Sequence, residues 1–568
     1  MSEYAETCDV LVIGSGAAGL SAAISARLSG ASVIVVEKSE VFGGTTARSG
    51  GWCWIPLSGQ ARSAGSDDSE EDVLTCLRHE IGATLDETKA RAFLKAGPEM
   101  LALYQRRTSL RLDLVTAFPD YHPGAPGGRT GGRALSTPPF DARDLGPLLP
   151  WLAPPLRALM LAGMNIGSGT ELRHFCRASH SPRSALFVLR RMLAHGFDGL
   201  RFRRGMRLVN GNALAARLGK SATDLGAAFW LSSPATQLLV HQDCVAGAVV
   251  LRQDTMARIR ARKGVILATG GSPHDLARRT SLYLHAAGGK DHLSLAPQGN
   301  RGDGLRLAHA VGAAVGTGLP QNAAWAPLSH GHRTDGTSVA CPHFVDGGKP
   351  GIIAVAGPGR RFVNEASSYH DFVSAWLDLR KGDRLPAAWF IADARAIGRY
   401  GPGLARPFPF PRRHWLKRGC LLCAKTPQEL AAKAGLDPAT LAETIRRFNQ
   451  AAAVGTDPDF GRGSSACIRF QGDPDHRPNP SLAPLDRPPF YAVRIRPGDT
   501  GTFEGILTDT HARVLNEIGQ TIPGLCAAGN DMRSLMGGYY PQAGITLGPA
   551  LVFGFIAGRD AATRNVME

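Results

Sequence analysis

The chain has no apolar run of about 18 residues, the length that a membrane-spanning helix needs. The nearest stretch, Leu148–Gly167, is broken by Pro150, Pro154, Pro155 and Arg157. Its one CxxC, Cys420–Cys423, has no second pair to complete a zinc site, and no metal site is expected. A redox-active CxxC is expected beside an N-terminal βαβ unit rather than near residue 420. The ten cysteines are otherwise scattered, which suits a reducing compartment. Met1–Glu6 is short and acidic, unlike a secretory or twin-arginine leader, so the expectation is a cytoplasmic protein. Repeats, low-complexity tails and nucleic-acid modules are lacking, and no nucleic-acid partner is expected. The net charge of +16 therefore comes from dispersed basic residues rather than runs. The densest group is Arg190, Arg191, Arg201, Arg203, Arg204 and Arg207, interleaved with Met192, Leu193, Phe197, Leu200 and Phe202. It reads as a solvated face; the alternative is a lid, or peripheral contact with the inner face of a membrane.

What is abundant is glycine, 68 of 568 residues, and enough apolar sequence (43%) for two or more domains. The most informative glycines are Gly14, Gly16 and Gly19. They follow the β-branched run Cys8–Ile13 and open a helical stretch, Leu20–Leu28. A second strand, Ser32–Val36, ends on Glu37, 23 residues after Gly14. In such a βαβ unit Gly14 makes the tight turn, Gly16 admits a pyrophosphate and Gly19 lets helix and strand pack. The helix N-terminus offers N–H groups to phosphates, and Glu37 is placed to accept ribose hydroxyls. A dinucleotide is expected here.

The next segment, Lys38–Gly51, is rich in Gly, Ser and Thr. It resembles the second FAD-contacting segment of the fumarate reductase/3-ketosteroid dehydrogenase flavoproteins, which implies FAD rather than NAD. Further along, Lys263–Gly271 reads as a strand and Gly pair returning to the cofactor. Gln298–Gly304 is reminiscent of the start of that superfamily's catalytic domain. Ala527–Asp531 and Gly537–Ala550 feed a last helix, Leu551–Arg559. The resemblance implies FAD contacts from Gly14, Gly16, Ala17, Gly19, Glu37, Lys38, Gly44, Thr45, Thr46, Ser49, Gly50, Gly51, Gly270, Gly529, Asn530, Gly544, Thr546 and Leu547.

The fold expected is α/β with an α+β second domain: a Rossmann-like FAD-binding domain interrupted by a catalytic, or cap, domain. Its first part spans 1–290, with a helix-and-loop excursion over about 52–230. The catalytic domain spans 291–485, and the return segment 486–568.

Two motifs separate the branches of this superfamily. In Gly359–Tyr369, the position four after Glu365 is an Arg in fumarate reductases; here it is Tyr369. In Gly537–Ala550, fumarate-type enzymes place His and Arg, whereas this chain has Tyr540, Pro541, Gln542, Ala543 and Gly544. That loop is similar to the Tyr-Pro-Gly-x-Gly of 3-ketosteroid Δ1-dehydrogenases, with Gln542 as the departure. A third segment, Pro119–Asp141, resembles their Asp-Tyr active-site segment.

The resemblance implies desaturation next to a ketone. Tyr540 and the Gly544 N–H would polarise the carbonyl, Tyr369 would take the α-proton, and flavin N5 would take the β-hydride. Tyr121 is the expected helper of Tyr369, with His122 as the other candidate. The substrate expected is a small apolar ketone, steroid or cyclic; the electron acceptor is open, a quinone among the candidates. A fumarate reductase-like ene-reductase is the alternative reading. A flavin-binding protein without turnover is the third.

Overall fold

The computed structural model describes residues 4–566 apart from 179–180, 287–290, 383 and 409. The run Glu6–Ile13 forms the central strand of the larger sheet, as its β-branched and apolar residues require. Val33–Val36 lies parallel on one side of it and Thr255–Leu267 parallel on the other. Ala228–Trp230 adds outside Val33–Val36, and Thr521–Ala527 adds outside Thr255–Leu267. The antiparallel strands Ala235–His241 and Cys244–Arg252 extend the sheet from the first half of Thr255–Leu267. The helices Ala17–Leu28 and Leu547–Thr563 pack against each other over this sheet, and their apolar faces are almost wholly buried.

The close approach of helix to strand depends on Gly19. A Cβ there would meet the Gly14 carbonyl oxygen at 1.9 Å, so any larger residue would push the helix off the turn.

A second, mostly antiparallel sheet has the order Ser338–Pro342, Ala323–His332, Phe490–Thr502, Ala388–Ala392, Ile352–Ala356. Its central strand, Phe490–Thr502, falls within the segment expected to have returned already to the first sheet. The chain re-enters the first sheet only after Thr502, through Thr521–Ala527. The Pro/Asp-rich stretch before Phe490 looks like a linker in sequence, and nothing local reveals that the next strand pairs backwards.

The excursion over 52–230 carries the helices Glu70–Ile81, Glu87–Arg107, Pro182–Phe202 and Asn210–Asp224. Pro182–Phe202 is solvent-exposed, as expected of a solvated face, and its exposed residues also include the apolar Leu186, Leu193, Phe197 and Leu200, with Leu200 89% exposed. Helical periodicity separates two faces; it does not say which one the fold covers.

Candidate active site

One cavity of about 1190 Å³ is lined from both sheets and from the excursion. Every glycine, hydroxyl and acid expected to hold the cofactor lines it except Gly19, whose role is packing. Two helices open into it. Ala17–Leu28 begins at Gly16 and Leu547–Thr563 at Thr546, each without a side-chain cap, so their positive ends face the cavity. Glu37 sits at the end of its strand and accepts from Ser15 N (3.1 Å), Ser15 Oγ (2.6 Å) and Ser39 N (2.9 Å). Ala17 N is held by Thr46 Oγ1 at 2.9 Å, joining the two glycine-rich segments.

Three residues outside the expected set shape this end. Asp531, fully buried, accepts from Thr269 N, Thr269 Oγ1 and Gly271 N, which fixes the Gly270 turn. Burial pushes its carboxyl pKa up. Asn300 donates to Gly270 O (3.0 Å) and Thr45 Oγ1 (3.2 Å), bridging both sides of the cavity. Asp303 pairs with Lys38. Asn300 and Asp303 lie in the Gln298–Gly304 motif, so a sequence signal for them existed.

At the other end three tyrosines converge. The ring centroids of Tyr369 and Tyr540 are 5.1 Å apart, Tyr121 and Tyr369 6.0 Å, and Tyr121 and Tyr540 6.2 Å. Tyr369 is the first residue of the helix Tyr369–Leu377, capped by Ser368 accepting from Asp371 N. Tyr540 is held from behind by His370 and Phe503. Tyr121 is pinned by its backbone N–H donating to Pro541 O (3.1 Å).

Burial raises the pKa of all three phenols. They are not equivalent. The Tyr369 hydroxyl, the Thr546 hydroxyl and the Gly544 backbone all favour ionised Tyr540. Tyr121 and Tyr540 both oppose ionisation of Tyr369. At neutral pH Tyr369 is therefore a proton donor to its neighbours unless something draws its proton away.

Gly544 ties this end to the cofactor end. Its φ is +93°, and a Cβ there would lie 2.7 Å from Trp54 N and 2.8 Å from the Cys53 backbone. Its carbonyl accepts from Trp54 N (3.1 Å) and Gly548 N (2.8 Å).

Gln542, the departure from the dehydrogenase loop, does not line the cavity. It is 1% exposed and donates to Asp120 Oδ1 at 2.6 Å. Asp120 Oδ2 accepts from Arg133 Nη1 (2.8 Å), whose other nitrogens fork onto Asp68. Burial raises the Asp120 pKa to about 6 despite Arg133. Gln542 thus fastens the Tyr540 loop to the Tyr121 segment.

His122, the second candidate for the helper role, is corrected by its contacts. It faces Glu80 (2.8 Å) and Asp371 (3.2 Å), is half-exposed and does not line the cavity. Those two acids raise its pKa to about 10.

The chain matches the model of the FAD binding domain family over residues 9–547. It is 40% identical over 555 residues to a 4-oxocyclohex-2-ene-1-carboxylate 5-dehydrogenase of Sinomonas cyclohexanicum, covering 98% of this chain and 94% of that one. It is 36% identical to a 3-oxosteroid 1-dehydrogenase of Mycobacterium tuberculosis over 570 residues, 97% of each chain. Among solved structures it is similar to a 3-ketosteroid Δ1-dehydrogenase from Sterolibacterium denitrificans in complex with 1,4-androstadiene-3,17-dione. That likeness has a TM-score of 0.90 at 34% identity and covers 98% of this chain and 99% of the other. The chain belongs to the FAD-binding flavoproteins, in the 3-ketosteroid Δ1-dehydrogenase-like branch.

The residues present fit the flavoprotein cofactor. Uncapped helix N-termini suit an anionic pyrophosphate and an electron-rich ring, and Glu37 suits a ribose. The protein is an FAD-dependent oxidoreductase acting on CH–CH groups. Among its described residues no His/Cys/Asp/Glu cluster could hold a metal ion. None of the described helices is long and apolar enough to cross a membrane.

Proposed function

We propose that this flavoprotein removes two hydrogens α,β to the carbonyl of a cyclic ketone, and that the convergence of Tyr121, Tyr369, Tyr540 and Gly544 carries the chemistry. The Tyr540 hydroxyl and the Gly544 N–H donate to the ketone oxygen and stabilise the charge that builds there. Polarisation acidifies the neighbouring C–H, and the Tyr369 oxygen takes that proton. Tyr369 takes it in its ionised form, and Tyr121, whose ring centroid lies 6.0 Å from that of Tyr369, is its helper. Bound FAD supplies the two-electron oxidant that accepts the hydride from the next carbon. The unit built on the second sheet caps the ketone, contributing Tyr369 and Phe344.

The tyrosine cluster supports a ketone rather than a fumarate-type dicarboxylate. Tyr369 stands where that chemistry needs a guanidinium, and residues 539–544 carry no cation. The test is anaerobic titration of the yellow protein with cyclic ketones, including a 3-ketosteroid. Bleaching of the oxidised flavin band without another reductant supports the reading. Brisk fumarate reduction by the reduced protein, with no bleaching by any ketone, refutes it.

The exposed apolar side of Pro182–Phe202, flanked by Arg190, Arg201 and Arg203, supports peripheral contact with an anionic membrane. A membrane quinone would then be within reach as electron acceptor. Co-sedimentation with anionic vesicles, lost in a Leu193→Ser/Leu200→Ser variant, is the expected result.

A further inference from the structure

Tyr121 stands between two residues that the desaturation chemistry leaves unused. Asp120 and His122 do not line the cavity, yet each reaches a segment that carries another of the three phenols.

On one flank is the buried Asp120. Its Oδ2 accepts from Arg133 Nη1 (2.8 Å) and Arg129 N (2.9 Å), which ties it to its own loop. Its Oδ1 accepts from Gln542 Nε2 (2.6 Å), two residues after Tyr540. Beside that bond the Tyr121 N–H donates to Pro541 O (3.1 Å). The amide is kept at a cost. Gln542 Oε1 is buried without a hydrogen-bond partner among the described residues. A half-satisfied buried amide is unfavourable, and a leucine of similar size would avoid the penalty. What Gln542 adds over an apolar residue is therefore its bond to Asp120.

On the other flank, His122 Nε2 lies 3.2 Å from Asp371 Oδ2, two residues after Tyr369 in the first turn of Tyr369–Leu377. Its Nδ1 lies 2.8 Å from Glu80 Oε2, on the helix Glu70–Ile81. The two acids keep the imidazole charged through neutral pH. Against the penalty of burial, His122 in turn holds the Asp371 carboxyl below the usual carboxylate range. The other ionisable groups near these pairs are few. Asp68 shares Arg133 with Asp120, and His370 adjoins Asp371. Cys76 and Cys467 also face Asp120, and burial keeps both as neutral thiols.

Three consecutive residues thus touch all three phenol-bearing segments. We propose that Asp120 and His122 are positioning residues for the tyrosine cluster: the Asp120–Gln542 bond sets Tyr540 against Tyr121, and the His122–Asp371 pair sets Tyr369 against Tyr121. The effect on rate rests on the ketone-desaturase reading; the effect on ring placement does not. Neither residue meets the substrate. Each holds phenol oxygens in line with the carbonyl and its neighbouring carbon, where a displacement of about 1 Å costs roughly 10²-fold.

The deciding variant is Gln542→Glu, which keeps the shape and replaces the donor by a second carboxyl. Two carboxylates in contact cannot both stay ionised, and sharing one proton restores the bond. The FAD-loaded protein is mixed anaerobically with 4-androstene-3,17-dione or 4-oxocyclohexanecarboxylate, whichever bleaches the flavin, and each limiting rate is divided by the wild-type rate at the same pH. At about pH 8.5 Gln542→Glu should be about 10- to 100-fold slow, and most of that loss should be regained at about pH 6. Gln542→Leu should be slow at both pH values. His122→Leu should be about tenfold slow, and His122→Gln, which keeps a donor toward Asp371, should recover most of the rate. Flavin content and half-saturating ketone should stay near wild type, since neither residue lines the cavity. A Gln542→Glu ratio that does not change with pH overturns the Asp120 arm, and a wild-type rate in His122→Leu overturns the His122 arm. A second readout needs no substrate. With 3-fluorotyrosine incorporated and the fluorine resonances assigned by Tyr→Phe variants, Gln542→Leu should shift Tyr121 and Tyr540, and His122→Leu should shift Tyr121 and Tyr369. Unmoved resonances overturn the proposal. Gln542→Glu is isosteric and His122 is half-exposed, so their variants keep the test open if Gln542→Leu fails to fold. If no ketone reduces the flavin, the desaturase reading falls and the resonances alone decide the positioning role.

Discussion

Gly544→Ala separates the structural and chemical roles of the loop that joins the two ends of the cavity. The added methyl would meet Trp54 N at 2.7 Å and the Cys53 backbone at 2.8 Å, both parts of a buried strand. Holding a non-glycine residue at φ +93° costs about 1–2 kcal/mol, and forcing an extra carbon into a filled core about 1–3 more. The total is about 2–5 kcal/mol. Relief by moving residue 544 would break the bonds its carbonyl makes with Trp54 N and Gly548 N. It would also turn the N–H away from the point that Tyr540 addresses. Losing one aligned donor to a developing oxyanion costs roughly 10²–10³ in turnover. The assay is thermal unfolding of the FAD-loaded protein at fixed free FAD, with anaerobic flavin reduction by a saturating cyclic ketone. A lowered midpoint and reduction slowed by roughly 10²-fold or more are expected. A variant with the wild-type midpoint and wild-type reduction rate would refute both the packing argument and the donor role.

Burial and two neighbouring phenols hold Tyr369 protonated, so its reactive, ionised fraction should grow about tenfold per pH unit below its pKa. Flavin reduction should accordingly rise from pH 7 to 9 with a log–log slope near one, and Tyr369→Phe should be at least about 10²-fold slower with a flat profile; a steep profile in that variant removes Tyr369 from the proton-taking role. Tyr540→Phe should weaken binding of phenolic ketone mimics and slow turnover, each by about 1.5–3 kcal/mol, without loss of FAD. Unchanged mimic affinity by flavin difference spectra would count against its bond to the carbonyl. His122 has its pKa raised by Asp371 and Glu80, so its stabilising effect is fully present below its ordinary value near 6.5 and lost as pH rises through about 10. The gap in thermal midpoint between wild type and His122→Asn should shrink across that window, and a constant gap would show that the ring acts by packing alone.

What the sequence disclosed follows from how far apart the interacting residues lie. The turn at Gly14–Gly19 and the acid at Glu37 fit within one βαβ unit, so local chemistry was enough to place them. Tyr121, Tyr369 and Tyr540 carry no local pattern of their own; only the motifs around them singled them out, and nothing in the spacing said that their rings meet. Gln542 was visible as a departure, yet its partner Asp120 is 422 positions away, and a buried amide–carboxylate bond at that separation has no sequence signature. Lys349 was invisible for the opposite reason. A lone lysine after a Gly-rich turn reads as solvated until the fold brings the Gln471 and Gly472 carbonyls over its ammonium. The same limit explains Pro182–Phe202, where charge and apolarity alternate in sequence but only the tertiary packing leaves the apolar side uncovered. Residue chemistry therefore gives the reaction class, because that class is written in short motifs. Substrate choice depends on which side chains from distant segments the fold gathers around the ketone, and that is a property of the assembled cavity.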